Sequence, residues 1–296
     1  MRTFGWFMTA IVGALLAAAL LAYPLYLLLH PLEPAWWFDK IATRLFQLLM
    51  LGAVVLLVRH LQLTSKRDWG YGAPRPRWLR QFAVGLIAGL ATMLPVSLSM
   101  IVLGARVVDS GLSGGALGHA LLAGLGSGLA VGFLEETFFR GLMQGAVVRD
   151  VQRPLAGIVL VSVVYAALHF LARARIPHEQ VSWHSGLDLL AGVLANFAAP
   201  AGIIDSFLAL LAIGVLLGLI AWWTGSIALS AGLHAGWVWM MRATVSTTSL
   251  GTASPMQWLI SQSDGYTGWL VVGWTVVIMF ALVLCRGRFR GWRRLA

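Results

Sequence analysis

Two adjacent carboxylates and a guanidinium lie inside a stretch that is otherwise apolar enough to span a membrane. They are Glu135, Glu136 and Arg140, within the sequence EETFFR. An ionised side chain at bilayer depth costs about 2.5–3.5 kcal/mol even on lenient insertion scales, so such residues face a polar interior and commonly have a function. Two histidines, His169 and His234, lie in other apolar segments. Carboxylates and imidazoles together supply what a hydrolytic site needs.

The spacing around the carboxylates predicts how a helix would present them. Five residues spaced four apart share one stripe along the helix: Gly124, Gly128, Gly132, Glu136 and Arg140. Small residues at this spacing let a second helix approach closely. The stripe therefore places Glu136 one turn from Arg140, where the two can pair. Glu135 points about 100° away from the stripe, so it is the carboxylate left to handle a proton, and poor solvation would suit it to act as a general base.

The histidines have a structural interpretation and a functional one. A lone histidine in an apolar helix is more often a satisfied core residue than a catalyst, and Gly232 and Gly236 around His234 indicate close helix packing. At about 1.5 Å per residue, however, Glu135, His169 and His234 lie roughly 12 to 22 Å from the cytoplasmic ends of their spans. We therefore predict that they meet in one cavity, where imidazoles can donate to an oxyanion or bind a metal.

Composition defines the protein class. The chain has 296 residues, of which 59% are hydrophobic and 11% charged, against roughly 45–50% and 25% in soluble proteins. We predict an all-α, polytopic integral membrane protein with about eight transmembrane helices enclosing an intramembrane polar cavity. The predicted spans are 6–29, 41–62, 81–104, 117–147, 154–172, 206–223, 226–243 and 268–286. The apolar but short stretch 186–200 is predicted to be an interfacial or re-entrant helix. We predict a single membrane domain over 1–296.

The net charge of +10 places basic residues on loops beside the spans, where lipid headgroups are nearer partners than nucleic acid. With the N-terminus in the cytoplasm, the cytoplasmic side receives most of the basic residues, as the positive-inside rule requires. These residues are Arg2, Lys66, Arg67, Arg75, Arg77, Arg80, Arg149, Arg153, Arg286, Arg288, Arg290, Arg293 and Arg294. The other side receives Lys40, Arg44, Arg106, Arg173, Arg175 and Arg242. Both termini are therefore predicted to be cytoplasmic, and the richness in arginine over lysine favours a bacterial inner membrane.

Other motifs that would indicate different chemistry are incomplete. His178-Glu179 is followed by His184 rather than by a histidine at the spacing of a HExxH zinc motif. The glycines at 124–128 lack the following Lys-Ser/Thr of a phosphate loop.

Three segments together resemble the CPBP family, the CAAX-protease and bacteriocin-processing (Abi) intramembrane endopeptidases. The sequence EETFFRG from Glu135 matches the family's EExxxR motif. Tyr165 to His169 resembles its FxxxH motif, with Tyr in place of Phe. His234 to Val238 resembles its HxxxN motif, with Val in place of Asn. The resemblance covers residues 117–243, as catalytic core helices.

The resemblance implies hydrolysis of a peptide bond in a membrane-anchored or hydrophobic peptide. It implies Glu135 as the base that activates water, with His169 and His234 supporting the oxyanion or the water. Glu136, Arg140 and Tyr165 would shape the site. A glutamate mechanism without a cofactor is favoured, and a divalent metal such as zinc on Glu135, His169 and His234 remains an alternative. Val238 cannot donate a hydrogen bond, and we consider Asn196 and Ser230 as substitutes.

Three alternatives to an active protease remain open at the level of sequence. The charged residues can form one structural ion cluster without chemistry. A family member that has lost activity can act as a membrane scaffold or a bacteriocin-immunity protein. A proton-coupled transporter also uses intramembrane Glu, Arg and His, but related halves are expected there. The charges here cluster in the second half of the chain, which favours the enzyme.

Overall fold

The computed structural model describes residues 1–33, 36–171 and 176–285. The contacts divide the chain into two compact units, one of Met1–Thr64 with Ala167–Ile203 and one of Ser65–Ala166 with the chain from Ile204 onward. The prediction of a single membrane domain remains a prediction. Some basic residues used to predict orientation, Arg173, Arg175 and those from Arg286 to Arg294, lie outside the described residues.

The described part of the chain is mostly helical. Its α-helices are α1 (Arg2–Leu29), α2 (Phe38–His60), α3 (Arg75–Val102), α4 (Gly114–Glu136), α5 (Gln144–Val151), α6 (Pro154–Leu168), α7 (Ser185–Ala198), α8 (Ile204–Thr224), α9 (Ala228–Thr247) and α10 (Trp269–Leu284). A π-helical segment, Thr137–Met143, joins α4 to α5. Two short strands, β1 (Arg106–Val108) and β2 (Thr248–Leu250), pair antiparallel.

Every predicted span corresponds to a helix, but the helices differ in length. Among the described residues, five helical stretches are long and apolar enough to cross a membrane: α1, α2, α3, the continuous stretch Gly114–Val151, and α8. The helices α6, α7 and α10 are apolar but shorter. Predicted segment 186–200 is the 14-residue helix α7. The prediction of an all-α polytopic membrane protein is confirmed.

The first unit contains α1, α2 and α7. Its core cluster consists of Ala22, Tyr26, Phe38 and Ile41, all buried. Gly186 at the start of α7 lies against the backbone of Ala19, so a β-carbon there would overlap α1. The absence of a side chain is what allows this approach.

The second unit positions the candidate site by packing α9 between α3 and α4. Gly132 on α4 faces α9 so closely that a β-carbon would lie 2.8 Å from the carbonyl oxygen of Ala231. On the opposite side of α9, Gly232 and Gly236 lie against the backbone of α3. The buried residues of α4 are Ala120, Gly124, Gly128, Gly132 and Glu136. Glycine on facing surfaces thus brings three backbones together and sets Glu136 against α9.

This packing makes Gly128 a sensitive position for stability. A β-carbon at Gly128 would overlap the carbonyl oxygen of Ala235. We expect Gly128→Ala to lower the free energy of unfolding by about 1–3 kcal/mol through overpacking. Unfolding in mild detergent would measure this change. Gly126 is the control, because it is exposed on the same helix with nothing within 4 Å of its would-be β-carbon. Gly126→Ala is expected to be neutral or stabilising. Equal losses for both variants would contradict the packing argument.

Candidate active site

The two glutamates lie where the helix changes its winding. Glu135 and Glu136 are the last residues of α4, and Arg140 lies inside the π segment that follows. A π-helix replaces i→i+4 hydrogen bonds with i→i+5 bonds, and such segments occur often at functional sites. The polar motif and the change in winding coincide.

Glu136 and Arg140 form a buried ion pair. Arg140 Nη1 lies 3.1 Å from Glu136 Oε1, with side chains 1% and 0% exposed. Arg140 Nη2 donates to the carbonyl oxygen of Gly214 on α8 at 3.3 Å. The guanidinium carbon also lies 4.3 Å from the centre of the Tyr165 ring. A carboxylate, a carbonyl and an aromatic face thus replace the water that the guanidinium loses on burial.

His234 links the two glutamates. Its Nδ1 lies 3.1 Å from Glu136 Oε1, and its Nε2 lies 3.9 Å from Glu135 Oε2. Because an ionised carboxylate only accepts, Nδ1 carries the proton in this hydrogen bond. In the neutral imidazole, Nε2 is then the acceptor and faces Glu135. The ion pair with Arg140 therefore holds the ring through Glu136.

The environments of the glutamates differ, although they are neighbours in sequence. The side chain of Glu135 is 28% exposed, whereas that of Glu136 is 0% exposed. The Oε2 atom that faces His234 is buried, so the exposed part of the Glu135 side chain lies elsewhere on that side chain. Glu135 is the carboxylate that solvent and substrate can reach. The geometry suits it to proton transfer and suits Glu136 to positioning His234.

Tyr165 closes the buried side of this network. It is 1% exposed, and its ring meets His234 edge to face, with centroids 6.2 Å apart. Phe139 also packs edge to face on it, at 5.2 Å. Besides receiving Arg140 on its face, Tyr165 packs against the imidazole. This contact supports the orientation of His234.

His169 is the candidate residue that lies in the other unit. It directly follows α6, is half-buried, and belongs with Ala167–Ile203 in the first unit. Glu135, Glu136, Arg140, Tyr165 and His234 all belong to the second unit. The predicted meeting of His169 with Glu135 remains a prediction.

Val238 occupies the position at which the HxxxN motif has Asn, and it lies one turn after His234 on α9. Ser230, one turn before His234, donates its hydroxyl to the carbonyl oxygen of Ile227 at 3.0 Å. Asn196 lies on α7 in the first unit. A role for Ser230 or Asn196 in place of the expected Asn remains a prediction.

A metal ion at this site would need several donor side chains that converge on one point. Within the described residues, no group of three or more His, Cys, Asp or Glu side chains lies where it could hold a metal. Glu135 and His234 contribute one facing atom each. The predicted ligand set of Glu135, His169 and His234 is therefore not assembled within the second unit.

The structure adds a buried amide that the sequence reasoning did not single out. Gln144 is 4% exposed, and its Nε2 donates to the carbonyl oxygen of Gly218 at 3.0 Å. It repeats, one turn later along α8, the contact that Arg140 makes with Gly214. The signal was present, because Gln144 continues the spacing of four from Glu136 and Arg140.

A polar loop covers the helix end beyond the site. Tyr71 Oη and Thr137 Oγ1 lie 2.7 Å apart, and Arg149 Nη1 donates to Asp68 Oδ1 at 2.9 Å. Hydrogen bonds from Ser65, aided by Arg149, hold the pKa of Asp68 below its ordinary value. This carboxylate stays ionised at neutral pH, so the loop is fastened to α5 by an ion pair.

These features define a polytopic membrane protein with a buried Arg-Glu-His network beside an accessible glutamate. Residues 115–240 match the family model described as Rce1-like, type II CAAX prenyl endopeptidase. This part of the chain is similar to that family, which confirms the resemblance to the CPBP family. The match supports an intramembrane protease at the family level. No curated protein and no solved structure matches the chain.

Proposed function

We propose that the protein is an intramembrane endopeptidase that hydrolyses a peptide bond in a membrane-anchored or hydrophobic peptide. The observation that carries this proposal is the side chain of Glu135, 28% exposed and facing His234 Nε2 at 3.9 Å. An accessible carboxylate beside an oriented imidazole is the arrangement that water activation requires. The Rce1-like match supports the same reaction class.

In the proposed reaction, Glu135 accepts a proton from a bound water while the water oxygen attacks the scissile carbonyl carbon. The carbonyl oxygen becomes an oxyanion, and His234 stabilises it by a hydrogen bond from Nε2 when the ring is protonated. Breakdown of this intermediate cleaves the C–N bond, and Glu135 returns the proton to the leaving amine. Glu136 and Arg140 hold His234 throughout, and His169 is proposed from the family resemblance to support the oxyanion or the water.

The test is cleavage by the purified protein in liposomes that contain hydrophobic peptides. The reaction is run in water enriched in ¹⁸O, and products are identified by mass spectrometry. Hydrolysis requires one solvent oxygen in each new carboxyl terminus. Labelled products made by the wild type would support the proposal. Failure to cut any peptide from the protein's own host membranes would count against it.

We further propose that this reaction needs no metal ion. Glu135 is then the sole activator of the water, so we expect chelators of divalent metals to leave the cleavage rate within about twofold of its untreated value. The rate is measured before and after chelation, followed by addition of zinc. Loss of activity on chelation and its return with zinc would instead support zinc on Glu135, His169 and His234.

The orientation in the membrane is proposed from the loop charges. Both termini are placed in the cytoplasm of a bacterial cell, with substrate entering from the cytoplasmic half of the inner membrane. A reporter fused after Ala296 and active only in the cytoplasm tests this topology. Activity of a reporter that works only outside would overturn it.

A further inference from the structure

One loop of the second unit contacts both the end of α4 and the start of α9, the two helices that carry Glu135 and His234. It runs from Asp68 to Tyr71 in the connection between α2 and α3, and we call it the 68–71 loop. Its backbone lies against the π segment, because a β-carbon at Gly141 would overlap the carbonyl oxygen of Trp69. The loop is therefore packed directly on the segment that follows the two glutamates.

The 68–71 loop is bonded to α9 through the carbonyl oxygen of Gly70. This oxygen accepts from the amide of Ile227 at 3.1 Å and from the hydroxyl of Ser226 at 3.3 Å. Ile227 is the N-cap of α9, about two turns before His234. Gly70 has a φ of +82°, and a β-carbon there would lie 2.5 Å from the side chain of Ile227. Glycine thus allows the loop to reach the start of the helix that presents His234.

The same loop is bonded to α4 through hydroxyl groups. Tyr71 Oη and Thr137 Oγ1 lie 2.7 Å apart, and Thr137 Oγ1 donates to the carbonyl oxygen of Phe133 at 2.6 Å. A hydroxyl has one hydrogen to donate, so Tyr71 is the donor in its bond with Thr137. The result is a chain of two hydrogen bonds from Tyr71 through Thr137 to Phe133, in which each bond polarises the other. We call it the hydroxyl chain.

The hydroxyl chain holds the helix on both sides of the glutamates. Phe133 precedes Glu135 by two residues, and Thr137 directly follows Glu136. Thr137 is also the first residue of the π segment, so the chain is attached where the winding changes. Glu135 Oε2 faces His234 Nε2 across 3.9 Å. Because the 68–71 loop is bonded to α4 and to α9, it holds these two helices in the relative position that sets this distance.

We propose that Tyr71 is a positioning residue for the reaction at Glu135. Its hydroxyl acts through Thr137 to hold Glu135 at the correct distance from His234. This inference rests on the proposed peptidase function and adds a residue that the sequence motifs do not include. The ring of Tyr71 stacks on Trp78, with centroids 5.6 Å apart. Removing the hydroxyl alone therefore leaves the packing of the ring in place.

The test is Tyr71→Phe, with kcat and KM measured for a cleaved peptide in liposomes. Misplacing a catalytic group by about 1 Å can cost up to about 10²-fold, so we expect kcat to fall about tenfold while KM stays within about twofold. Loss of uniform binding or of folded protein would not produce this division between kcat and KM.

Tyr266→Phe is the matched control. Tyr266 Oη also forms a hydrogen bond of 2.7 Å, to Ser97 near the end of α3 that is remote from the 68–71 loop. This bond is buried, whereas that of Tyr71 is partly buried. We therefore expect Tyr266→Phe to lower the unfolding temperature at least as much as Tyr71→Phe, yet to leave kcat unchanged.

Variants of Thr137 test the hydroxyl chain itself. Thr137→Ser keeps the hydroxyl and should retain the wild-type kcat, whereas Thr137→Val keeps the shape and should lose at least as much as Tyr71→Phe. Adding Tyr71→Phe to Thr137→Val should lower kcat by less than about twofold further, because both changes break the same bond.

Three results would overturn the positioning role while leaving the peptidase function in place. They are a wild-type kcat in Tyr71→Phe, an equal loss of kcat in Tyr266→Phe, and losses that multiply independently in the double variant of Tyr71 and Thr137. A wild type that cleaves no peptide would overturn the proposed function and this inference with it.

Discussion

Replacing Glu135 with Gln is expected to reduce the turnover of peptide cleavage by about 10²–10⁴-fold, the usual contribution of a general base. Glutamine keeps the shape of the side chain but cannot accept the proton from water. Glu135 is partly exposed, and the buried ion pair involves Glu136 instead. The variant should therefore fold like the wild type and bind substrate with little change. The measurement is kcat and KM for a cleaved peptide in liposomes, together with the unfolding temperature.

Two further variants separate a proton-transfer role from a structural one. Glu135→Asp keeps the carboxylate but shortens its reach, so we expect it to retain part of the activity that the amide loses. Glu33→Gln removes an exposed carboxylate in the connection after α1 and should leave kcat unchanged. Wild-type turnover in Glu135→Gln would contradict the assigned role of Glu135.

Replacing Arg140 with Met is expected to lower the free energy of unfolding by about 3–5 kcal/mol, because it leaves the carboxylate of Glu136 buried without its cation. The carboxylate is 0% exposed, so water cannot replace the lost partner. The double variant Glu136→Gln, Arg140→Met removes both charges. The double variant should lose less unfolding free energy than the two single variants lose together, since neither charge is left uncompensated. Unfolding of all four proteins in mild detergent gives the coupling free energy.

Arg149 provides the matched control for this measurement. Its ion pair with Asp68 has a similar length, 2.9 Å, but the arginine side chain is 54% exposed. Arg149→Met is therefore expected to cost only about 0.2–1 kcal/mol. Two results would contradict the idea that burial determines the strength of the inner pair. One is an equal loss of unfolding free energy in Arg140→Met and Arg149→Met. The other is a double variant whose loss equals the sum of the losses for Glu136→Gln and Arg140→Met.

Much of this arrangement follows from local spacing in the sequence. Intervals of four between Gly124 and Arg140 indicate a tightly packed stripe that ends in an ion pair, and the structure has that stripe against α9. The apolar runs indicate the helices themselves, because a run of about 20 mostly apolar residues crosses a bilayer as a helix with its backbone hydrogen bonds satisfied internally. These features depend on residues that lie along one and the same helix.

Other features depend on contacts between distant segments, which spacing does not encode. His234 reaches both glutamates because Gly132 lets α4 and α9 approach, and nothing in the two segments alone specifies which ring nitrogen meets which carboxylate. The π-helical winding at Thr137–Met143 also has no periodic signal in the sequence. The carbonyl partners of Arg140 and Gln144 on α8 depend likewise on tertiary packing.

The most direct test of the central claim compares the membrane-associated peptides of cells that produce the wild-type protein with those of cells that produce Glu135→Gln at the same level. If the protein is a glutamate-dependent intramembrane protease, specific cleavage products will be present with the wild type and absent with the variant, and their termini will identify the cut site. Identical peptide profiles, with the variant folded in the membrane, would contradict the claim and favour a scaffold or immunity role.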